Sequence, residues 1–268
     1  MTTSVNVAVA QFAPGEDKDA NLETIGAHVS EATKQGAQLV VFPEYAMFTA
    51  SKMDERFLRS AESLDGPFVS ALQELARREA VTIVAGINET TDSGEQIHNT
   101  LLAIDDGGKV AATYRKLHLY DAFGYTESEI VRAGVIGTPE TFIVGPLTFG
   151  MQTCYDLRFP ESTRRLVDAG ADVVLIPAEW VPGPLKENHW TTLVRARAIE
   201  NTVFVAAADQ CGRFGAGNSM IVDPMGVVLA SLGEDAGVVS AALSPARIEQ
   251  VRQKNPALTL RRFTVVER

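Results

Sequence analysis

Short apolar runs alternate along the chain with segments in which apolar residues recur every three or four positions. Val5–Gln11 and Gln38–Phe42 are nearly continuous apolar runs, which is typical of strands covered on both faces of a sheet. Between them, apolar residues recur at helical spacing from Leu22 to Ala32, and Gly36 follows as a suitable helix stop. Strand, helix and strand in this order predict an α/β fold.

The same alternation continues to the end of the chain. A second helix carries Phe68, Leu72 and Leu75, and the segment 105–108, Asp-Asp-Gly-Gly, is a strong hairpin signal between two strands. The same periodicities predict further helices at 161–167 and 185–199. They also predict strands at 81–88, 100–104, 109–114, 141–144, 171–176, 203–208, 219–222, 227–230 and 237–242, together with a strand that enters Cys154.

Two segments of the chain resemble each other. Gln35–Glu44 and Ala169–Ala178 share the pattern Gly-Ala, one polar residue, an apolar strand and a proline. Each follows a predicted helix that itself follows a strand, so we predict two related halves. If the paired strands are parallel, Glu44, Cys154 and the segment 178–180 lie just past their carboxyl ends, where open α/β sheets bind ligands.

Length and charge restrict the class of protein. The 268 residues suit one large α/β domain, and since no low-complexity linker divides them we predict a single domain over 1–268. The formal net charge of -10 argues against nucleic acid or an anionic membrane surface as a partner. No apolar run approaches the ~18 residues of a membrane helix, and the first residues do not resemble a signal peptide. The two cysteines suit neither a disulfide framework nor a metal site, which favours a cytoplasmic setting.

Cys154 lies between a predicted strand and a predicted helix, whose first turn Pro160 favours. That position lifts a thiol out of the core, and a helix N-terminus favours its thiolate. The pattern therefore predicts a nucleophile. The alternative is a buried, unreactive cysteine, which is the commoner role of a free cysteine, so the prediction depends on partners elsewhere in the chain.

Glu44 and Lys116 are the candidate partners. Glu44 follows an apolar strand and a proline, and it is either a solvated cap or a general base for the thiol and later for water. Lys116 ends another strand-like stretch among Tyr and Leu residues. Most lysines are solvated surface charges, but an ammonium group fixed in a site would stabilise an oxyanion on a substrate carbonyl.

Three segments carry a resemblance to a known family. Phe42–Tyr45, Tyr114–Leu119 and Thr153–Glu161 resemble the signature segments of the nitrilase superfamily of carbon–nitrogen hydrolases, in the same order along the chain. Further similar segments are His189-Trp190, Arg195–Asn201 and Ser219–Gly226. The resemblance implies a four-layer αββα sandwich with internal two-fold pseudosymmetry, no metal or organic cofactor, and a homodimer or larger homo-oligomer. In that oligomer we expect a C-terminal arm, about 255–268, to make dimer contacts.

The resemblance also implies roles for residues. Glu44 would be the base, Lys116 the oxyanion stabiliser and Cys154 the nucleophile, with the backbone N–H of Tyr155 completing the oxyanion hole. A supporting glutamate lies in the Glu127-Ser-Glu129 segment, and Glu127 is the choice here, with the second glutamate as the alternative. The implied reaction hydrolyses a small non-peptide amide to a carboxylate and ammonia through a cysteine thioester.

Two branches of the superfamily are candidates for the substrate. Ala207–Arg213 resembles the branch that acts on deaminated glutathione, and Pro177–Trp180 resembles omega-amidases, which cleave 2-oxo-dicarboxylic monoamides. Both substrates carry a carboxylate, for which Arg158 is the obvious counter-charge. The alternative for this arginine is a structural ion pair with Asp156 or Glu161.

Several other side chains are expected in the pocket. Tyr45, His118 and Trp180 are candidate walls, although each could serve packing instead. Glu179 is an additional carboxylate that would repel an anionic substrate or select a cationic one. Asn218 stands where several amidases have a histidine, which leaves the substrate open.

Other functions stay open at this point. A papain-like hydrolase would use His118 or His189 as its base, and an acyltransferase would need a second acceptor site. A hydrolase acting on a carbamoyl amine and a non-enzymatic sandwich that binds metabolites are further alternatives. True nitrile hydrolysis is disfavoured, because nitrile-cleaving relatives differ in sequence beside the cysteine. The expected partner is a small-molecule amide, with no nucleic acid and no membrane.

Overall fold

The computed structural model describes residues 3–267. Met1, Thr2 and Arg268, at the ends of the predicted domain and arm, lie outside the described residues. Within residues 3–267 the chain forms six α-helices, α1 Lys18–Lys34, α2 Glu55–Ser60, α3 Pro67–Glu79, α4 Pro160–Asp168, α5 Lys186–Asn201 and α6 Pro245–Lys254. The strands are β1 Val5–Gln11, β2 Leu39–Val41, β3 Thr82–Thr90, β4 Ile97–Ile104, β5 Val110–Arg115, β6 Thr141–Val144, β7 Leu147–Met151, β8 Val173–Ala178, β9 Phe204–Asp209, β10 Met220–Val222, β11 Val228–Ser231 and β12 Gly237–Leu243.

The strands form two six-stranded sheets of matching topology. The first has the order β12-β1-β2-β3-β4-β5 and the second the order β6-β7-β8-β9-β10-β11. In each sheet the three consecutive strands that follow the edge strand are parallel, and the remaining pairs are antiparallel. The predicted two halves and their internal pseudosymmetry are therefore confirmed, because β1 to β5 correspond one by one to β7 to β11.

Three apolar clusters stack the elements into four layers. One cluster lies between the two sheets and holds Val7, Val41, Phe149 and Phe204. The other two lie on the outer faces, where α1 and α3 cover the first sheet and α4 and α5 cover the second. Both faces of every central strand are thus buried, which explains why these strands are continuous apolar runs in the sequence. The predicted αββα sandwich is confirmed.

Most predicted elements lie within a few residues of the observed ones. Two helices, α2 and α6, were not predicted. α2 has only six residues after its cap, Asp54, whose side chain accepts from the Arg56 N–H. α6 begins with the pair Ser244-Pro245, an N-cap followed by a first-turn proline. That signal was present in the sequence. Among residues 3–267, no helix combines the length and the hydropathy needed to span a bilayer.

Candidate active site

A cavity of about 270 Å³ opens where the carboxyl ends of parallel strands from both sheets meet. Glu44 follows β2, Lys116 follows β5, Cys154 lies beyond β7 and Glu179 follows β8. All four residues line the cavity. The predicted convergence of these segments at one edge of the layered sheets is therefore observed.

Glu44 is fixed at both carboxylate oxygens. It is 1% exposed, and its Oε1 accepts from Lys116 Nζ at 2.8 Å and from Asn99 Nδ2 at 2.6 Å. Its Oε2 accepts from the backbone N–H of Glu179 at 2.7 Å, so the second sheet also holds this carboxylate. The next residue, Tyr45, has a φ of 54°, and the turn it makes carries the chain away from β2.

Lys116 bridges two carboxylates. Its Nζ lies 2.8 Å from Glu44 Oε1 and 2.9 Å from Glu127 Oε2. Glu127 starts a short 3-10 turn and accepts from the Tyr45 hydroxyl at 2.7 Å and the Tyr120 N–H at 2.6 Å. Its neighbour Glu129 is exposed. Of the two candidates for the supporting glutamate, Glu127 is the one beside Lys116.

Cys154 is the first residue of a 3-10 turn over Cys154–Arg158 and has a φ of 42°. Positive φ is uncommon for a residue with a side chain. The turn is held by Asp156, whose Oδ2 accepts from the Thr153 N–H at 3.0 Å and whose own N–H donates to the Thr153 carbonyl at 2.9 Å. The Cys154 thiol points towards the backbone carbonyl of Glu179, with the sulfur 3.5 Å from that oxygen. The predicted position between a strand and a helix that begins near Pro160 is confirmed, because β7 ends at Met151 and α4 begins at Pro160.

The ionisation of the site follows from burial and from the two glutamates. Burial raises the pKa of the Cys154 thiol well above its ordinary value, and the Glu44 charge and hydrogen bond add to this. Burial also raises the pKa of Glu44, although Lys116 opposes the shift. For Lys116 burial lowers the pKa, but Glu127 and Glu44 outweigh it, so the pKa is raised well above the usual one. The direction of the Cys154 pKa shift favours the neutral thiol, whereas the sequence position was expected to favour the thiolate.

Five of the six expected pocket residues line the cavity, namely Tyr45, Tyr155, Arg158, Glu179 and Trp180. The sixth, His118, does not. Its ring stacks on Phe159 with centroids 3.8 Å apart, and its Nδ1 lies 2.7 Å from Asp156 Oδ1. It packs against the nucleophile turn because Asp156, fully buried, also accepts from the His118 N–H and the Tyr114 hydroxyl. The expectation that His118 forms a pocket wall is wrong.

Arg158 does not form the alternative ion pair. None of the ion pairs within residues 3–267 involves it. Its guanidinium carbon instead lies 4.8 Å from the ring centroid of Trp180 and 5.5 Å from that of Phe123. Its Nε is buried without a hydrogen-bond partner in the part of the chain that the structure describes. The guanidinium is therefore available to a ligand in the cavity.

Sequence reasoning missed Asn99, Tyr120 and Lys186. Asn99 is fully buried in β4, and a polar residue inside an apolar strand was a usable signal for it. Tyr120 and Lys186 also line the cavity. Tyr120 belongs to an irregular segment, whereas Lys186 lies at the start of the predicted helix 185–199, where helical periodicity does not distinguish a cavity residue from a surface one. Asn218, left open by the sequence, is not among the lining residues and donates to the Ala216 carbonyl. Within residues 3–267 no group of three His, Cys, Asp or Glu side chains is arranged to hold a metal ion.

Comparison with known proteins agrees with this geometry. The carbon–nitrogen hydrolase profile matches residues 6–253. The chain belongs to the carbon–nitrogen hydrolase family. The deaminated glutathione amidase of Escherichia coli O157:H7 is 37% identical to this hydrolase, over 96% of the chain and 97% of the relative. That of Synechocystis sp. (strain PCC 6803 / Kazusa) is 38% identical over 91% of the chain and 93% of the relative.

Solved structures also match this carbon–nitrogen hydrolase over nearly its whole length. Saccharomyces cerevisiae Nit3, a member of branch 10 of the nitrilase superfamily, superposes with a TM-score of 0.86 and 30% identity, covering 98% of each chain. A mutant amidase from Nesterenkonia sp. AN1 superposes with a TM-score of 0.80 and 26% identity, covering 97% of this chain and 98% of that one. In that mutant the acetamide moiety of fluoroacetamide is covalently attached to the active-site cysteine. The chain is thus a carbon–nitrogen hydrolase of the nitrilase superfamily, with an amidase function.

Proposed function

We propose that this hydrolase cleaves a small, carboxylate-bearing, non-peptide amide through a thioester on Cys154. The observation that carries the proposal is the buried cluster of one thiol, one ammonium group and two carboxylates at the floor of a cavity. A protonated thiol beside a carboxylate with a raised pKa is a pair between which a proton can pass at neutral pH.

The first half of the reaction forms the acyl-enzyme. Cys154 Sγ attacks the amide carbon as its proton passes to Glu44, and the carbonyl oxygen becomes an oxyanion. Lys116 Nζ and the Tyr155 N–H stabilise that oxyanion, because the first N–H groups of a helical turn have no intrahelical acceptor. Glu44 then gives its proton to the departing nitrogen, the C–N bond breaks, and ammonia or an amine leaves.

The second half releases the acid. Glu44, again ionised, takes a proton from water, which attacks the thioester carbon. The C–S bond breaks, Glu44 returns the proton to the sulfur, and the carboxylic acid leaves and loses its own proton to solvent to give the carboxylate. Each proton transfer of this kind is worth about 10²–10⁴-fold in rate. Glu127 is the second carboxylate that holds Lys116, so that Nζ stays in place to stabilise the oxyanion.

The proposed substrates belong to two classes. One is deaminated glutathione, after which the relatives are named, and the other is the 2-oxo-dicarboxylic monoamides that omega-amidases cleave. Two of the relatives named above are deaminated glutathione amidases, and they are 37% and 38% identical to this chain over more than nine-tenths of their length. Such a substrate carries a carboxylate, and Arg158 lines the cavity without a carboxylate partner in the described residues. We also propose a reducing, cytoplasmic setting, because the reaction needs a free Cys154 thiol.

The decisive experiment combines amine release with intact-protein mass spectrometry. The protein is mixed with deaminated glutathione, with 2-oxoglutaramate and with simple aliphatic amides, and samples are quenched in acid. We expect amine release and a mass increase equal to the acyl group, located on the Cys154 peptide. Cys154→Ala should show neither, whereas Cys211→Ala, which removes the second cysteine, should show both.

Two further variants test the roles. Lys116→Met removes an oxyanion donor, and we expect a fall in kcat of about 10²–10³-fold in a protein that still unfolds cooperatively. Glu44→Gln should block both proton transfers. An acyl-enzyme that accumulates at the wild-type rate in Cys154→Ser, or on a residue other than Cys154, would refute the thioester mechanism.

A further inference from the structure

Lys186 is a buried cation without an acidic partner. It is the first residue of α5, only 7% exposed, and it lines the same cavity as Cys154. Among residues 3–267 no carboxylate oxygen lies within 4.0 Å of its Nζ. An ammonium group removed from water without a partner is costly, and burial accordingly lowers the pKa of Lys186. This cost of burial indicates that Lys186 has a role beyond stabilising the fold.

The surroundings hold the ammonium group in one place. Nζ donates to the Tyr120 hydroxyl at 2.6 Å and lies 4.9 Å and 5.2 Å from the ring centroids of Tyr120 and Phe123. The backbone carbonyl of Lys186 accepts from Trp180 Nε1 at 2.7 Å, which ties the start of α5 to the cavity wall. An ammonium group has three donors, and the contacts within the described residues use one of them.

A second unpaired cation lies close by. The Lys186 ammonium group and the Arg158 guanidinium both contact the ring of Phe123, at 5.2 Å and 5.5 Å from its centroid. Their separation is therefore no more than twice the longer of these distances. Lys116, by contrast, is already paired with two carboxylates. Glu179 lines the same cavity, but burial and the Glu44 charge raise its pKa well above the usual value, which favours its neutral form.

We propose that Lys186 binds a second anionic group of the substrate, separate from the one that Arg158 binds. The preferred substrate is then an amide with two anionic groups, such as carboxylates on its acyl and amine parts. This inference rests on the proposed function for the scissile amide, and it adds a specificity-determining residue. Lys186 touches no reacting atom in the mechanism, so its contribution belongs to substrate binding.

Two matched substrates test this assignment. They are the N-carboxymethyl and N-ethyl 5-amides of 2-oxoglutaric acid, which share the scissile amide and one carboxylate and differ in the second carboxylate. We expect Lys186→Met to raise KM for the N-carboxymethyl amide by about tenfold or more, the size of a lost charge-assisted contact. KM for the N-ethyl amide and kcat for both should change little.

Two control variants test whether the effect depends on a positive charge at position 186. Lys186→Arg keeps the cation and should keep the preference for the N-carboxymethyl amide. Lys52→Met removes the same charge from an exposed lysine at the rim of the cavity, and we expect only a small effect on the preference. A preference that falls as much in Lys52→Met as in Lys186→Met would mean that a long-range field, and not a subsite, discriminates the substrates.

The outcomes also separate this inference from the proposed function. If Lys186→Met raises KM for both substrates equally, the lysine shares the Arg158 subsite or acts structurally, and the inference is overturned. Binding of both amides to Cys154→Ala, with and without Lys186→Met, is measured by calorimetry as a second readout. A wild type that cleaves neither amide refutes the proposed function for this class, while the calorimetric preference still decides the role of Lys186.

Discussion

Glu179 is the third carboxyl group in the site, after Glu44 and Glu127. The single positive charge of Lys116 can balance only one of them. Burial raises the pKa of Glu179 well above the ordinary value, the Glu44 charge raises it further, and Lys116 offsets the shift only in part. Its backbone also serves the site, since its N–H donates to Glu44 and its carbonyl accepts from the Cys154 thiol. The side chain at this position is therefore free to vary in charge without disturbing those two backbone contacts.

The raised pKa of Glu179 has a consequence for stability. A carboxyl group that is harder to ionise in the folded chain than in the unfolded one makes stability fall as pH rises from about 4.3, the ordinary glutamate value, through its folded pKa. Glu179→Gln removes that cost. We therefore expect the variant to unfold at a higher temperature than the wild type at pH 7–8, and the difference to vanish near pH 4.

The control is Glu129→Gln, which neutralises an exposed glutamate near the same site. It should change stability by less than about 0.5 kcal/mol at any pH. Scanning calorimetry of the three proteins between pH 4 and pH 8 checks this. Equal behaviour of Glu179→Gln and Glu129→Gln would mean that Glu179 is ionised and well solvated in the folded protein.

The site residues differ in how far the sequence could predict them. Glu44 and Cys154 each follow an apolar strand, so their shared edge followed from the parallel-strand rule. Lys116 follows the antiparallel strand β5, and its place in the site was predicted from its Tyr and Leu neighbours and from the family resemblance. His118 could not be placed in this way. Only the tertiary structure shows that buried Asp156 holds it against the nucleophile turn, and that Lys186, the first residue of α5, reaches the cavity.

At the level of secondary structure, the approach of β3 to the end of β2 shapes the turn that carries Glu44. Gly86 lies in β3, and a Cβ atom there would be 2.6 Å from the Tyr45 nitrogen and 3.0 Å from Glu44 Cα. Both contacts are with backbone, which cannot move away as a flexible side chain could. The glycine thus lets two neighbouring parallel strands bring the catalytic carboxylate to its place.

Gly86→Ala should displace Glu44 without changing any reacting group. Because misplacement by about 1 Å can cost 10²-fold in rate, we expect kcat/KM for the best amide substrate to fall by about tenfold or more. Gly26→Ala is the matched control, since Gly26 lies within α1 and a Cβ there meets nothing within 4 Å. It should stabilise the protein by about 0.5–1 kcal/mol and leave the rate unchanged. A Gly86→Ala enzyme of wild-type activity would contradict this role.

Element prediction succeeded where burial on both sheet faces imposed a continuous apolar run, as in β1 and β8. It failed where an element is short or peripheral. α2 buries only Phe57 and Ser60 in its six residues, too few for a periodicity to be recognised. Prediction also succeeded beyond Cys154, where a helix begins at Pro160 and a short 3-10 turn over Cys154–Arg158 precedes it.

At the scale of the whole molecule, each half supplies part of one site. The first sheet contributes Glu44 and Lys116, and the second contributes Cys154 and Glu179. Contacts between the halves join these parts, since Glu179 N and Gln210 Nε2 donate to the side chain and the backbone of Glu44, respectively. The apolar cluster between the sheets therefore holds the catalytic groups together as well as stabilising the fold.

The C-terminal arm, residues 255–267 of the described chain, exposes apolar side chains. Leu260, Phe263 and Val266 are 69%, 90% and 81% exposed. An ion pair between Arg261 and Asp168, at 2.5 Å, connects the arm to the end of α4. We propose that a second copy of the chain covers this arm, as the family resemblance implies, because large apolar groups held at a surface favour association.

The arm proposal is tested by Phe263→Asp. Placing a charge at the most exposed of these three apolar positions opposes burial in an interface, so we expect the dimer to dissociate, measured as a halved mass by light scattering at micromolar concentration. Val135→Asp is the matched control, because Val135 is 94% exposed but lies outside the arm. It should leave the mass unchanged. A wild-type protein that is monomeric at that concentration, or a Phe263→Asp variant that keeps the wild-type mass, would show that the arm does not hold two copies together.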